Sequence, residues 1–324
     1  MIKAVILFVL GLVLLIKGGD WFVDGAVSIA HRFHVPELLI GATVVSIGTT
    51  LPEVMVSANS ALTGHGEIAY GNAIGSVICN TALIAAITIT VRPSAVDRKT
   101  LRLPVAFFFG AAAVYCLAAY FVSFTRAVGI LLLGGFLLYM FILVRHALAE
   151  SRNTTKAPEE NDSNTGSIPV WKAVLLLVIG AAMIAFGADL LVDNGTRIAE
   201  GLGVPEAVIA LTFVALGTSL PELATAITSL AKGYGALSLG NIVGANIFNL
   251  VLVSGTAVTL SPFSVPNTRM IAGRNASLLI DIPLMIIVMA ILTVPALRRG
   301  RLKRLQGICL LILYAAFCVF QFTV

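Results

Sequence analysis

The chain has 324 residues, of which 58% are hydrophobic and only 11% charged, and its mean hydropathy is +1.00. Soluble domains carry about 25% charged residues, and a water-soluble fold would leave large sticky patches here, so a soluble enzyme or binding module is excluded and a membrane protein is expected. The net charge of +5 does not argue for nucleic acid, because the basic residues cluster in short stretches between apolar runs, as loop anchors on one membrane face do.

Runs of about 20 apolar residues, the length that crosses a bilayer, cover 2–30, 37–63, 68–91, 101–121, 126–147, 169–197, 205–231, 236–260, 276–296 and 304–322. The sequence thus predicts an all-α membrane protein with ten transmembrane helices. Lys3 followed by the apolar run from Ala4 to Ile16 resembles a signal peptide. The residues after it recur in the second half of the chain, so the segment is read as the first helix. Cys79, Cys116, Cys309 and Cys318 all lie in apolar stretches without metal-ligand spacing and read as small packed hydrophobes. His31, His34, His65 and His146 sit at loop edges. The polar stretch 149–168, with Glu159, Glu160 and Asp162, reads as a solvated linker rather than a cation site or a folded domain.

Lys and Arg concentrate in the loops after spans 1, 3, 5, 7 and 9: Arg32, then Arg92 to Arg102, then Arg145 to Lys172, Lys232, and Arg298 to Arg304. The positive-inside rule places those loops in the cytoplasm. Both termini are then outside and the central linker cytoplasmic, in a bacterial inner (plasma) membrane.

The two halves repeat. Residues 43–53 read Thr-Val-Val-Ser-Ile-Gly-Thr-Thr-Leu-Pro-Glu, and residues 212–222 read Thr-Phe-Val-Ala-Leu-Gly-Thr-Ser-Leu-Pro-Glu, at an offset of 169. At the same offset Gly71-Asn72 matches Gly240-Asn241, Gly75 matches Gly244, Asn80 matches Asn249, and Asp20 and Asp24 match Asp189 and Asp193. Each half holds five spans, an odd number, so the second copy enters the membrane from the opposite side. Two inverted five-helix repeats are therefore expected, over 1–148 and 169–324, joined by the linker 149–168. Inverted repeats are typical of secondary transporters.

Glu53 and Glu222 fall near the middle of spans 2 and 7. An ionised carboxylate at that depth costs about 2.5–3.5 kcal/mol on insertion scales. Spans 2, 3, 7 and 8 offer no Lys or Arg at similar depth, so the glutamates are either protonated or balanced by bound cations. Ser46, Thr49, Thr50, Glu53 and Ser57 share one helix face; Thr218, Ser219 and Glu222 repeat the pattern, with Ala215 in the place of Ser46. Such oxygens suit hard cations. Pro52 and Pro221 free the carbonyls of Gly48 and Gly217, and paired helix breaks in corresponding positions mark transporter binding sites. On the next helix Asn72, Ser76 and Asn80 share a face, as do Asn241, Ala245 and Asn249, with Asn246 beside them. The deeper Asn80 and Asn249 suit ligand roles, while Asn72 and Asn241 suit interhelical hydrogen bonding. Asp20, Asp24, Asp189 and Asp193 either draw cations to the mouths of a pathway or make structural contacts at helix ends.

The paired Gly-Thr-Thr/Ser-Leu-Pro-Glu motifs, each followed by a Gly-Asn-x-x-Gly helix, resemble the two repeats of the cation/calcium exchanger superfamily, with a bacterial calcium/sodium antiporter as the nearest branch. The resemblance spans essentially the whole chain. It implies exchange of calcium against sodium or protons by alternating access, with spans 2, 3, 7 and 8 holding the ions and spans 1 and 6 sliding across them. Carried over by motif, the ligands are Ser46 and Ala215 through backbone oxygens, with Thr49, Thr50, Glu53, Ser76, Asn80, Thr218, Ser219 and Glu222. Some exchangers have aspartate in place of Asn249 and serine in place of Ala245, so this chain has two central carboxylates rather than three. The expected function is calcium/sodium antiport across the inner membrane, with a cation/proton exchanger as the alternative and a cation channel more remote. The expected partners are the transported calcium and sodium ions and the lipid bilayer, with no cofactor, nucleic acid or protein partner and no enzymatic activity.

Overall fold

In the computed structural model the chain is almost entirely helical, and the structure describes residues 2–154, 168–202, 217–265, 270–271 and 273–323. The helices follow the expected spans: α1 Ile2–Arg32, α2 Glu37–Leu62, α3 Gly66–Val91, α4 Arg98–Phe121, α5 Arg126–Thr154, α6 Val170–Gly201, α7 Leu220–Ala231, α8 Gly235–Leu260, α9 Ser277–Arg299 and α10 Arg304–Thr323. Among the described residues nine helices are long and apolar enough to cross a membrane. The first part of the seventh expected span, and the linker residues Glu159, Glu160 and Asp162, lie outside the described residues. A two-residue hairpin, β1 Met270–Ile271 with β2 Arg274–Asn275, sits between α8 and α9.

Contacts group the described helices into two compact units, Met1–Thr49 with Met140–Asn241, and Thr50–Tyr139 with Ile242–Val324. Each unit takes segments from both halves of the sequence.

The first unit is built on the pairing of α1 with α6. Gly11, Gly18 and Gly25 recur every seven residues on α1, opposite Gly187, Gly180 and Ala173 of α6. A Cβ on Gly11 would stand 2.8 Å from the Gly187 carbonyl oxygen, and one on Gly18 would stand 2.9 Å from that of Gly180. Gly11 and Gly180 are repeat equivalents, as are Gly18 and Gly187. The contact is therefore the same surface used twice, reciprocally, with the two helices antiparallel. In lipid, apolar side chains gain little by meeting one another, and small residues let the backbones approach for dispersion contacts. Phe22, Val23, Ala26 and Ile184 are buried around this seam.

In the second unit each repeat caps the other. Arg126, at the start of α5, donates from Nε to the Thr259 carbonyl near the end of α8 at 3.0 Å. Arg304, at the start of α10, does the same to Thr90 near the end of α3 at 2.8 Å. Thr90 and Thr259 are repeat equivalents. An arginine at a helix C-terminus satisfies carbonyls that lack intrahelical partners and meets the negative end of the dipole. The connecting loops pair in the same sense. Val96 N–H donates to Gly300 at 2.9 Å, and Phe263 N–H to Phe124 at 3.2 Å. The ends of α3 and α8 thus lie at opposite ends of α4, the helix that runs from one loop pair to the other. That is the inverted arrangement of two five-helix repeats. Arg126 and Arg304 are 178 residues apart rather than 169, because the α8–α9 connection, which holds the hairpin, is longer than its counterpart.

Replacing Gly18 by leucine forces a side chain into the α1–α6 seam. Overpacking of this kind costs about 1–3 kcal/mol, so the detergent-purified protein should melt several degrees lower. Gly110→Ala, where an added Cβ meets nothing within 4 Å, should leave the melting temperature unchanged or slightly raised, since alanine is the better helix former.

Candidate functional site

The polar residues singled out in the sequence are buried. Glu53 and Glu222 are both 0% exposed. Ser46, Thr49, Thr50, Ser57, Ser76, Asn80, Ser219, Asn241, Asn246 and Asn249 are buried with them, and Thr218 is half-buried. The buried set among the described residues contains no Lys, Arg or His and no other acidic residue. Ala215 lies outside the described residues.

In the first unit, Asn241 at the middle of the Gly235–Phe248 segment receives two hydroxyls. Its Oδ1 lies 3.2 Å from both Ser46 Oγ and Thr49 Oγ1, and Ser46 Oγ is also 2.8 Å from the Gly41 carbonyl. The Ser46 hydroxyl proton is thus directed at protein acceptors. The helices meet closely there because Gly41 and Gly240 have no side chains. A Cβ on either would collide with the carbonyl of Leu237 or Leu38. Gly48 and Gly217, the glycines of the doubled motif, have a second role besides loosening the backbone. Phe22 of α1 covers Gly48, and Val192 of α6 covers Gly217, each leaving less than 3 Å for a Cβ.

Glu222 falls in the first turn of the described α7, whose N-cap is Ser219, and the first part of its expected span lies outside the described residues. Thr218 and Ser219 form a turn after Gly217. Pro221 explains this: it fits the first turn of a helix, where its missing N–H costs nothing. Pro52, by contrast, sits inside the continuous segment Ser46–Leu62. The helix dipole of α7 favours a carboxylate in its first turn. The Ser219 side chain makes no capping hydrogen bond, and its buried Oγ has no hydrogen-bond partner among the described residues.

In the second unit, Asn72 Nδ2 donates to Ser57 Oγ at 2.8 Å and to the Glu53 carbonyl at 3.3 Å, which ties α3 to α2. Asn80 and Asn249 behave differently. Neither the amide nitrogen nor the amide oxygen of either residue has a hydrogen-bond partner among the described residues, although both side chains are fully buried. An unsatisfied buried polar group costs about 1–3 kcal/mol. The two amides stand at repeat-equivalent positions.

Two of the five π-helical turns among the described residues start at these same two residues. Asn80 opens a π-helical turn, Asn80–Ala85, inside α3, and Asn249 opens another, Asn249–Val253, inside α8. A third, Gly41–Val45, precedes Ser46 in α2. Such turns widen the helix by one residue and recur at functional sites. The serines that follow two of them satisfy displaced carbonyls, Ser46 with Gly41 at 2.8 Å and Ser254 with Asn249 at 3.0 Å. Nothing in the hydrophobic pattern announces these turns.

The aspartates of α1 make structural contacts. Lys232, just after α7, places Nζ 2.8 Å from Asp24 Oδ1, 3.5 Å from Asp20 Oδ1 and 3.0 Å from the Asp20 carbonyl. In the first repeat Thr63 stands where Lys232 stands in the second, so this link is not duplicated.

The doubled helix motif and the inverted repeats agree with the comparisons. The model of the sodium/calcium exchanger protein family matches residues 3–145 and 172–323. The chain belongs to that family. It is 36% identical to CaxA of Alkalimonas amylolytica, over 99% of this chain and 98% of that one. It is 31% identical to the sodium/calcium exchanger MaX1 of Methanosarcina acetivorans, over 98% of each. The sodium-calcium exchanger NCX_Mj, in a structure soaked with 10 mM Na+ and zero Ca2+, superposes with a TM-score of 0.78 at 32% identity, covering 97% of both chains. The exchanger family is one of multi-pass membrane transporters, and this member is a cation exchanger rather than an enzyme.

Replacing Asn80 or Asn249 by leucine removes an unsatisfied amide at nearly constant volume. Each variant should melt at a higher temperature than the parent in cation-free buffer, by the equivalent of about 1–3 kcal/mol. Each should also lose most of the stabilisation that added calcium gives the parent.

Proposed function

We propose that the protein is a secondary-active antiporter that exchanges calcium for sodium by alternating access, with Glu53 and Glu222 carrying the compensating charge. The observation that carries this reading is the complete burial of the two carboxylates in a chain whose other buried polar groups, among those described, are neutral oxygen and amide donors. Carboxylate, hydroxyl, amide and backbone oxygens are the ligands of hard cations. Two negative charges match one calcium. Magnesium resists dehydration and prefers to keep its waters, which a dry set of many oxygens does not accommodate. Sodium has nearly the size and ligand preference of calcium, so the same oxygens serve both in turn.

The ligand set in this reading is Ser46 and Ala215 through backbone oxygens, Thr49, Thr50, Glu53, Ser76, Asn80, Thr218, Ser219, Glu222 and Asn249. Coupling follows from charge. The empty protein, with both glutamates ionised, carries buried negative charge that no cation balances and does not interconvert between its two faces. The halves 1–148 and 169–324, joined by the linker 149–168, are the mirrored packings that give two states of similar energy. The arginine- and lysine-rich loops set the linker in the cytoplasm and both termini outside, in the inner membrane. Support comes from the family match and from the sodium/calcium exchangers to which the chain is similar.

In proteoliposomes loaded with sodium and diluted into sodium-free medium, calcium uptake should follow the sodium gradient. It should fall at least a hundredfold in Glu53→Gln and in Glu222→Gln. Calcium uptake driven by a proton gradient and indifferent to sodium would replace sodium by protons as the coupling ion. Calcium flux that needs no counter-ion would point to a channel, and full transport in both variants would remove the glutamates from the site.

A further inference from the structure

Asn246 is buried beside the residues discussed above and has no place in the ligand set. It lies on α8 one turn before Asn249, where side chains three apart are neighbours, and it is 0% exposed. Its amide nitrogen donates to Thr81 Oγ1 at 2.7 Å and approaches Met289 Sδ at 3.2 Å, and Thr81 Oγ1 is itself 3.2 Å from the same sulfur. Thr81 adjoins Asn80 at the start of the π-helical turn in α3. A thioether sulfur accepts and cannot donate, so it selects the NH2 group of the amide and turns the carbonyl oxygen away. That oxygen, Asn246 Oδ1, is buried and has no hydrogen-bond partner among the described residues.

The repeat shows what the oxygen replaces. The first half reads Ser76-Val77 where the second reads Ala245-Asn246. The second half has lost a hydroxyl and gained an amide at the next position. Both side chains at 76 and 246 are buried. We infer that Asn246 Oδ1 is a ligand oxygen for the transported cation, supplied in the second repeat in place of the hydroxyl that Ala245 lacks, and that Thr81 and Met289 are positioning residues that hold the amide with its oxygen forward. Amide carbonyls are ordinary ligands for calcium and sodium. The inference rests on the exchanger reading above.

The test is cation-dependent thermal stabilisation of the purified full chain, titrated separately with calcium and with sodium. Asn246→Leu, close in volume, should raise the calcium concentration for half-maximal stabilisation at least tenfold. Met289→Leu, which removes the acceptor that orients the amide, should raise it severalfold with Asn246 intact. Unchanged titrations in folded Asn246→Leu overturn the assignment and leave Asn246 as a packing residue. Should that variant fail to fold, Asn246→Asp decides: an added charge on a ligand oxygen tightens calcium relative to sodium, and an unchanged or weakened ratio overturns the inference. A parent protein that responds to neither cation overturns the exchanger reading itself, an outcome distinct from a responsive parent with an unaltered Asn246→Leu.

Discussion

A carboxylate held away from water is among the costliest groups a folded chain can carry, and two of them, Glu53 and Glu222, are buried here without a buried Lys, Arg or His among the described residues. The arrangement persists because the surrounding residues make it useful. Neutral oxygens lie along the same helices as the carboxylates. Helix ends and π-helical turns present backbone and amide groups that regular helix would keep engaged. A stability-driven core would have replaced these groups with leucine, since buried ion pairs and polar clusters seldom outperform good apolar packing. In the proposed function, cation binding is the purpose they serve.

The scaffold gains its stability from other contacts. These are the glycine seam between α1 and α6 and the reciprocal caps of Arg126 and Arg304. Both features use one surface or one contact twice, related by the inversion of the two halves. The symmetry is incomplete in instructive places. Pro52 lies within a continuous helix, whereas Pro221 opens one. Lys232 ties Asp20 and Asp24 with no counterpart at Thr63. In the proposed alternating-access cycle, such halves would give inward- and outward-facing states similar in energy without being identical.

Much of this was legible in the sequence. Spans of about 20 apolar residues, and Gly, Pro, Asn, Asp and Glu aligned at one offset, fix the helices and the repeat, because these residue types are too rare in apolar helices to coincide by chance. The hydrogen bonding of Asn72 and Asn241 was anticipated from their positions. The π-helical turns at Asn80 and Asn249 were not, since a single i+5 turn leaves no trace in hydrophobic periodicity. The turn at Thr218 and Ser219 lies where the sequence places a helix break at Pro221. The spacing of Gly11, Gly18 and Gly25 was available to inspection and predicts a close helix pair; only its partner on α6 needed the structure.

The central claim is that one set of buried oxygens takes calcium and sodium in turn. Equilibrium dialysis of radioactive calcium against the purified protein, at rising sodium with ionic strength held constant by choline, addresses it directly. The account predicts that sodium displaces calcium completely and competitively, so that the apparent calcium affinity falls without limit as sodium rises. Calcium binding that is unaffected by sodium, or that sodium lowers only to a plateau, would mean that the two ions occupy separate sites, and would contradict it.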